Sequence, residues 1–190
     1  IFNNENLYKY KWINLLNDSI LLPIHGIENM KKTILTMRQG NDFWGLYESN
    51  EIQIHLCSNC FFEISAKCYP VLKSFYNSKL NECATRTEFI YKVELNQTRY
   101  LVSKRFTYQG VVSYKELTHQ QHCIMFHPKN IHKYLVIPKC FGIKWKYLGN
   151  YMNYQQLNNH GLNYLMRYLK LGPSNIPHIP NFFEYVYGRP

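Results

Sequence analysis

Acid is what this sequence has least of. Of its 190 residues only 12 are acidic, against 22 lysines and arginines, so the net charge of +10 reflects missing acid more than added base. Asp18 and Asp42 are the only aspartates. Such a chain is a poor source of the clustered carboxylates used in metal-dependent phosphoryl chemistry, although glutamates can stand in. Long apolar runs are also missing. Stretches such as Ile20, Leu21 and Leu22 ahead of Pro23 fall far short of the roughly 20 residues a membrane-crossing helix needs. There is no Gly-rich phosphate loop, no GxSxG elbow and no HExxH pair, so nothing names a reaction or a small-molecule substrate. The absence of repeats and low-complexity runs excludes solenoids and compositional linkers. No charged stretch followed by an apolar run opens the sequence at Ile1, so localisation has to be inferred indirectly.

What is there supports a core. Hydrophobic residues make up 46% and aromatics 16%, whereas disordered chains are poor in both. At 22.8 kDa, one domain is the default expectation. The charge is uneven along it. Residues 1–116 hold 14 basic and 11 acidic residues, whereas 117–190 hold eight basic residues, one acid (Glu184) and six of the eight histidines. Such an imbalance attracts polyanions. Codon bias toward Lys, Asn, Ile, Tyr and Phe is the plainer source of this composition, but the electrostatic field is the same whatever its origin.

Periodicity predicts mixed structure. Ile27, Met30, Ile34 and Met37, with Gly40 beyond them, predict a helix over 27–38. Alternation predicts strands at 52–56 and 61–64. A helix starting near Pro70 turns Leu72, Phe75 and Tyr76 inward. Phe89, Tyr91, Val93 and Leu95, then Tyr100 and Val102, predict a hairpin running to Phe106 around Asn96, Gln97 and Thr98. Further strands are expected at 111–114, 123–126, 134–137 and 143–147. A last helix carries Leu162, Leu165, Met166 and Leu169 and stops at Gly172 and Pro173. The expected fold class is α+β: a central, mostly antiparallel sheet with two or three flanking helices over residues 1–172. An extended C-terminal arm, rich in proline and aromatics, follows over 173–190.

Three groups of residues could carry function. Lys144 and Lys146 alternate with Trp145 and Tyr147, so a strand there turns both ammonium groups to one face. Lys129, Lys133 and Lys139 precede them, and Arg167, Lys170 and Arg189 follow. Together they form a candidate RNA-phosphate surface. In the arm, Pro177 and Pro180 favour extended backbone, and Phe182, Phe183, Tyr185 and Tyr187 are candidate docking anchors for a protein neighbour. Cys57 and Cys60 have the two-residue gap that aims two thiolates at one zinc ion. A structural site needs four ligands, and Cys68, Cys83, or the group His119, His122, Cys123 and His127 are candidates to complete it.

These features point to a non-catalytic, RNA-binding structural component of a large ribonucleoprotein. In its most specific form this is a mitochondrial ribosomal protein meeting rRNA through its basic C-terminal surface and its neighbours through the arm. No cofactor is expected beyond a structural zinc. Three other readings fit parts of the sequence. One is an accessory subunit of a respiratory or ATP synthase complex. Another is a secreted or viral disulfide-bonded protein, suggested by six cysteines and the sequons at Asn17 and Asn96. The third is a zinc nuclease built on the histidines from His119 to His132.

Overall fold

The computed structural model describes residues 7, 9–16, 20–50, 52–57, 60–117, 137 and 139–144. The chain divides into two compact units, one of residues 1–17 and 34–123 and the other of 18–33 and 124–190.

In the first unit, β1 (Trp12–Leu16), β3 (Phe43–Ser49), β4 (His55–Leu56), β5 (Phe61–Ser65) and β6 (Tyr108–Val112) form one sheet. The order runs β1, β5, β3, β4, and β6 also pairs with β3. Every pairing is antiparallel except β3 with β6. The pleat sorts the side chains into two faces. Ile13, Ile64, Phe43 and Tyr108 stand in register across four strands, and the Phe43 and Tyr108 rings stack at 5.4 Å. This row meets Leu72, Phe75 and Tyr76 of α2 (Tyr69–Leu80), together with Val93 and Leu101, in one buried core. In the opposite row Glu63 pairs with Trp44, and Trp44 stacks on Phe61 at 5.2 Å.

The face bearing Glu63 is tied to the end of α1 (Ile27–Gly40) by a buried ion pair. Glu63 is fully buried. Its carboxylate accepts from Arg38 Nη2 at 2.6 Å, Arg38 Nε at 3.0 Å and Trp44 Nε1 at 2.6 Å, so the desolvated charge is met by three donors. The bonds from Glu63 also hold the Arg38 guanidinium above its usual pKa, against the effect of burial.

The expected hairpin at 89–106 is instead helical. A short helix, α3 (Arg86–Phe89), runs into a π-helical turn, Ile90–Glu94, and after Leu95 and Asn96 comes α4 (Gln97–Ser103). The helix starts at a capping box. Thr85 Oγ1 accepts from the Glu88 N–H at 3.2 Å, and Glu88 Oε2 accepts from the N–H groups of Ala84 and Thr85. Its buried stripe hides from a reading by apolarity because Gln97 and Thr98 stand in it, both buried. Gln97 Oε1 accepts from the Tyr76 hydroxyl at 2.8 Å, and Thr98 Oγ1 accepts from the Leu56 N–H at 3.0 Å. These two oxygens are bonded, as buried polar atoms usually are, while Gln97 Nε2 is buried with no partner among the described residues.

Elsewhere the predicted elements are shifted or extended. The helix predicted at 27–38 runs to Gly40, and the one near Pro70 spans Tyr69–Leu80 with Leu72, Phe75 and Tyr76 buried. The strand at 61–64 is present, but the one at 52–56 reduces to His55–Leu56. The strand at 111–114 is displaced to Tyr108–Val112, and α5 (Tyr114–Leu117) follows it. β1 and the central β3 were not expected. In β3, Phe43 to Tyr47 are all buried, so no polar alternation marks the strand.

In the second unit, β2 (Ile20–Leu21) pairs antiparallel with β7 (Ile143–Lys144). The Ile24 N–H donates to the Phe141 carbonyl at 2.8 Å. Leu21, Ile24, Cys140, Phe141 and Ile143 are buried around this ladder. The strand expected at 123–126, all but Ile137 of the one at 134–137, the helix at 162–169 and the arm at 173–190 lie outside the described residues. No described helix is long and apolar enough to cross a membrane.

Candidate nucleic-acid interface

Two of the predicted phosphate contacts fall on described backbone, Lys144 in the β2–β7 ladder and Lys139 in the turn ahead of it. Burial of Ile143 against β2 turns the next residue, Lys144, the other way, and it is half-buried. Lys139 is exposed just ahead of buried Cys140, in a turn where the Cys140 N–H donates to the Ile137 carbonyl at 3.0 Å. The ladder thus carries one of these ammonium groups and the turn before it the other, beside residues that are buried. Lys129, Lys133, Lys146, Arg167, Lys170 and Arg189 lie outside the described residues, as do Phe182, Phe183, Tyr185 and Tyr187.

The first unit carries a cationic group that reading the segment as a hairpin concealed. α4 ends in a Schellman turn: the Phe106 N–H donates to the Leu101 carbonyl and the Arg105 N–H to the Val102 carbonyl. Arg105 occupies the left-handed position of this turn, with φ of 67°, where glycine is the usual residue. Arg99, Lys104 and Arg105 are all exposed around this helix end. The Lys104 ammonium stands 5.5 Å over the Tyr100 ring, which stacks on Phe75 at 4.6 Å. Cations beside an anchored aromatic suit phosphate contact with base or sugar stacking. The signals that could have shown this are the Thr85 to Glu88 capping spacing and the four-residue recurrence of Phe89, Val93, Gln97 and Leu101.

Cys57 and Cys60 are both buried, in a tight turn where the Cys60 N–H donates to the Cys57 carbonyl at 3.2 Å. His119, His122, Cys123 and His127 lie outside the described residues. Among the described residues no three His, Cys, Asp or Glu side chains converge on a metal-sized site. Cys68 is a poor nucleophile, because burial pushes its thiol up. Asn96 offers its sequon little access: its amide Nδ2 donates to the Tyr91 carbonyl at 2.6 Å, its Oδ1 accepts from Gln53, and Gln97 and Thr98 behind it are buried.

The carboxylates of the first unit are largely committed to internal partners. Burial pushes Asp42 up, but Lys67 and the Thr107 backbone and hydroxyl outweigh it and hold the carboxyl below its ordinary pKa. Burial also raises the Tyr76 phenol strongly, with the nearby Glu94 charge adding to the effect. No family model, no curated protein and no solved structure matches this chain, so its function has to be argued from its own residues.

Proposed function

We propose that this protein is a non-catalytic component of a large ribonucleoprotein assembly that binds RNA through its acid-poor unit. In the most specific form of this reading it is a mitochondrial ribosomal protein in contact with rRNA. One observation carries the proposal. Residues 18–33 and 124–190 hold ten basic against three acidic residues, a net +7, while the rest of the chain holds twelve against nine, a net +3. Basic residues in excess of acids neutralise phosphates and release their condensed counterions. Lys144 of the β2–β7 ladder and Lys139 ahead of it belong to this unit, and Arg99, Lys104 and Arg105 add a second group of cations.

The test is a salt series. The full chain is expected to retain RNA on purification and to bind a structured RNA with an affinity that falls steeply with salt, by about 0.7 log units per log unit of salt for each single-stranded phosphate contacted. RNA-free material whose affinity is the same at low and high salt overturns the proposal and favours an accessory subunit of a respiratory or ATP synthase complex.

A further inference from the structure

The first unit contains an open cleft of about 400 Å³ beside β6, a size typical of ligand sites. Its floor is Glu48, at the end of β3. A methyl group at Gly110 would come within 2.8 Å of the Glu48 Cβ, so the bare glycine lets this carboxylate sit against the strand. Tyr108, Tyr114 and Ile54 line it together with Gln109, Ser113, Lys115 and Glu116.

Glu48 differs from two other carboxylates of its unit. Glu63 is neutralised by Arg38 and Asp42 by Lys67. Glu48 is half-buried and accepts from Ser113 Oγ at 2.7 Å. Its charge reaches the Tyr108 phenol, which burial and then Glu48 together raise above the ordinary tyrosine pKa. No described ammonium or guanidinium lies within 4 Å of it. Lys115, which also lines the cleft, holds its ammonium 6.0 Å over the Tyr114 ring. A carboxylate drawn part-way out of water without a cation is costly, and a cation supplied from outside relieves that cost.

We infer that this cleft binds an alkyl chain ending in a single cation, an ammonium or guanidinium group, with Glu48 taking the head and Ile54, Tyr108 and Tyr114 flanking the stem. Lysine and arginine have this shape, an apolar stem with a charged tip, and aromatic faces add cation–π attraction. A free polyamine shares the same chemistry. The site calls for no nucleic acid, so it stands or falls separately from RNA binding.

The experiment titrates the ¹⁵N-labelled full chain with N-acetyl-lysine methylamide, N-acetyl-arginine methylamide, spermidine, and N-acetyl-norleucine methylamide as the uncharged stem. Saturable shifts of the Gly110 and Ser113 amides are expected with the cationic compounds and not with norleucine. Glu48→Gln is expected to weaken binding tenfold or more. Tighter binding of the lysine and arginine compounds than of spermidine identifies a basic segment of a protein neighbour as the occupant, and the reverse order a free polyamine. Three results overturn the site: no shift at Gly110 at millimolar ligand, equal shifts with norleucine, or a folded Glu48→Gln that binds like wild type. The wild-type titration and its norleucine control stay decisive even where Glu48→Gln fails to fold.

Discussion

The two units of this protein use charge in opposite ways. In residues 1–17 and 34–123, twelve basic residues stand against nine acids, and the ion pairs Arg38–Glu63, Lys67–Asp42, Lys79–Glu82 and Lys92–Glu88 are formed within the unit. In residues 18–33 and 124–190, ten basic residues stand against three acids, too few to neutralise them. The first pattern stabilises a fold, because a charge removed from water needs a partner. The second leaves cations in excess of acids, and such an excess attracts a polyanion. Changes in the first unit should therefore alter stability, and changes in the second should alter salt-dependent binding.

The largest effect is expected at Glu63. Glu63→Ala leaves the Arg38 guanidinium and the Trp44 indole N–H without their acceptor, and should destabilise the unit by about 3 kcal/mol, near the lower end for breaking a buried pair because Arg38 is partly exposed. Chemical denaturation would measure it, and a loss below about 1 kcal/mol, typical of surface pairs, would show that this charge is not structural. Thr98→Val comes next. It keeps the shape but strands the buried Leu56 N–H, which should cost about 2 kcal/mol by the same assay.

The paired substitution Lys139→Gln and Lys144→Gln addresses the other unit. It should leave the unfolding midpoint nearly unchanged and flatten the salt dependence of RNA binding by about 1.4 log–log units, two phosphate contacts' worth for single-stranded RNA. A large loss of stability with an unchanged slope would invert the comparison. Arg105→Gly tests the one place where both uses of charge meet. Removing the side chain from a left-handed position relieves roughly 1 kcal/mol of strain, offset in part by the greater freedom of unfolded glycine. A gain of about 0.5 kcal/mol with weaker RNA binding is expected. The variant would then show a cation kept at some expense to the fold.

Asp42→Asn should give the smallest effect, and one that depends on pH. The folded carboxyl titrates below its unfolded value of about 3.9. Its contribution is therefore fully present above that value and is lost as pH falls through the lower folded one. Wild type should be more stable than Asp42→Asn at pH 7, and the difference should vanish in acid. A difference that persists or grows in acid strong enough to protonate the folded carboxyl would mean the Lys67 and Thr107 contacts do not act through the charge.

Several features were legible before the fold was known. The helix at 27–40 announced itself through a stripe ending at glycine, and the one at 69–80 through a proline in its first turn and three inward apolar residues. The α+β class followed from alternating strands set among such helices. The segment 86–103 was misread because Phe89, Tyr91, Val93 and Leu95 alternate by accident, while the π-helical turn shifts the helical phase and two buried polar residues interrupt the stripe. β3 was missed because a strand buried on both faces carries no alternation to read.

The sequence by itself determined the class of fold, the excess of cations and where along the chain acid is scarce, because these depend on composition and on local periodicity. Only the tertiary structure decided that Gln97 and Thr98 belong to a helix, that Glu63 finds Arg38 across 25 residues, and that Glu48 lines a cleft with its carboxylate accepting from Ser113. Each of these is a long-range pairing of polar groups. Their stability depends on which donor or acceptor arrives when water is excluded, and neither period nor composition encodes that.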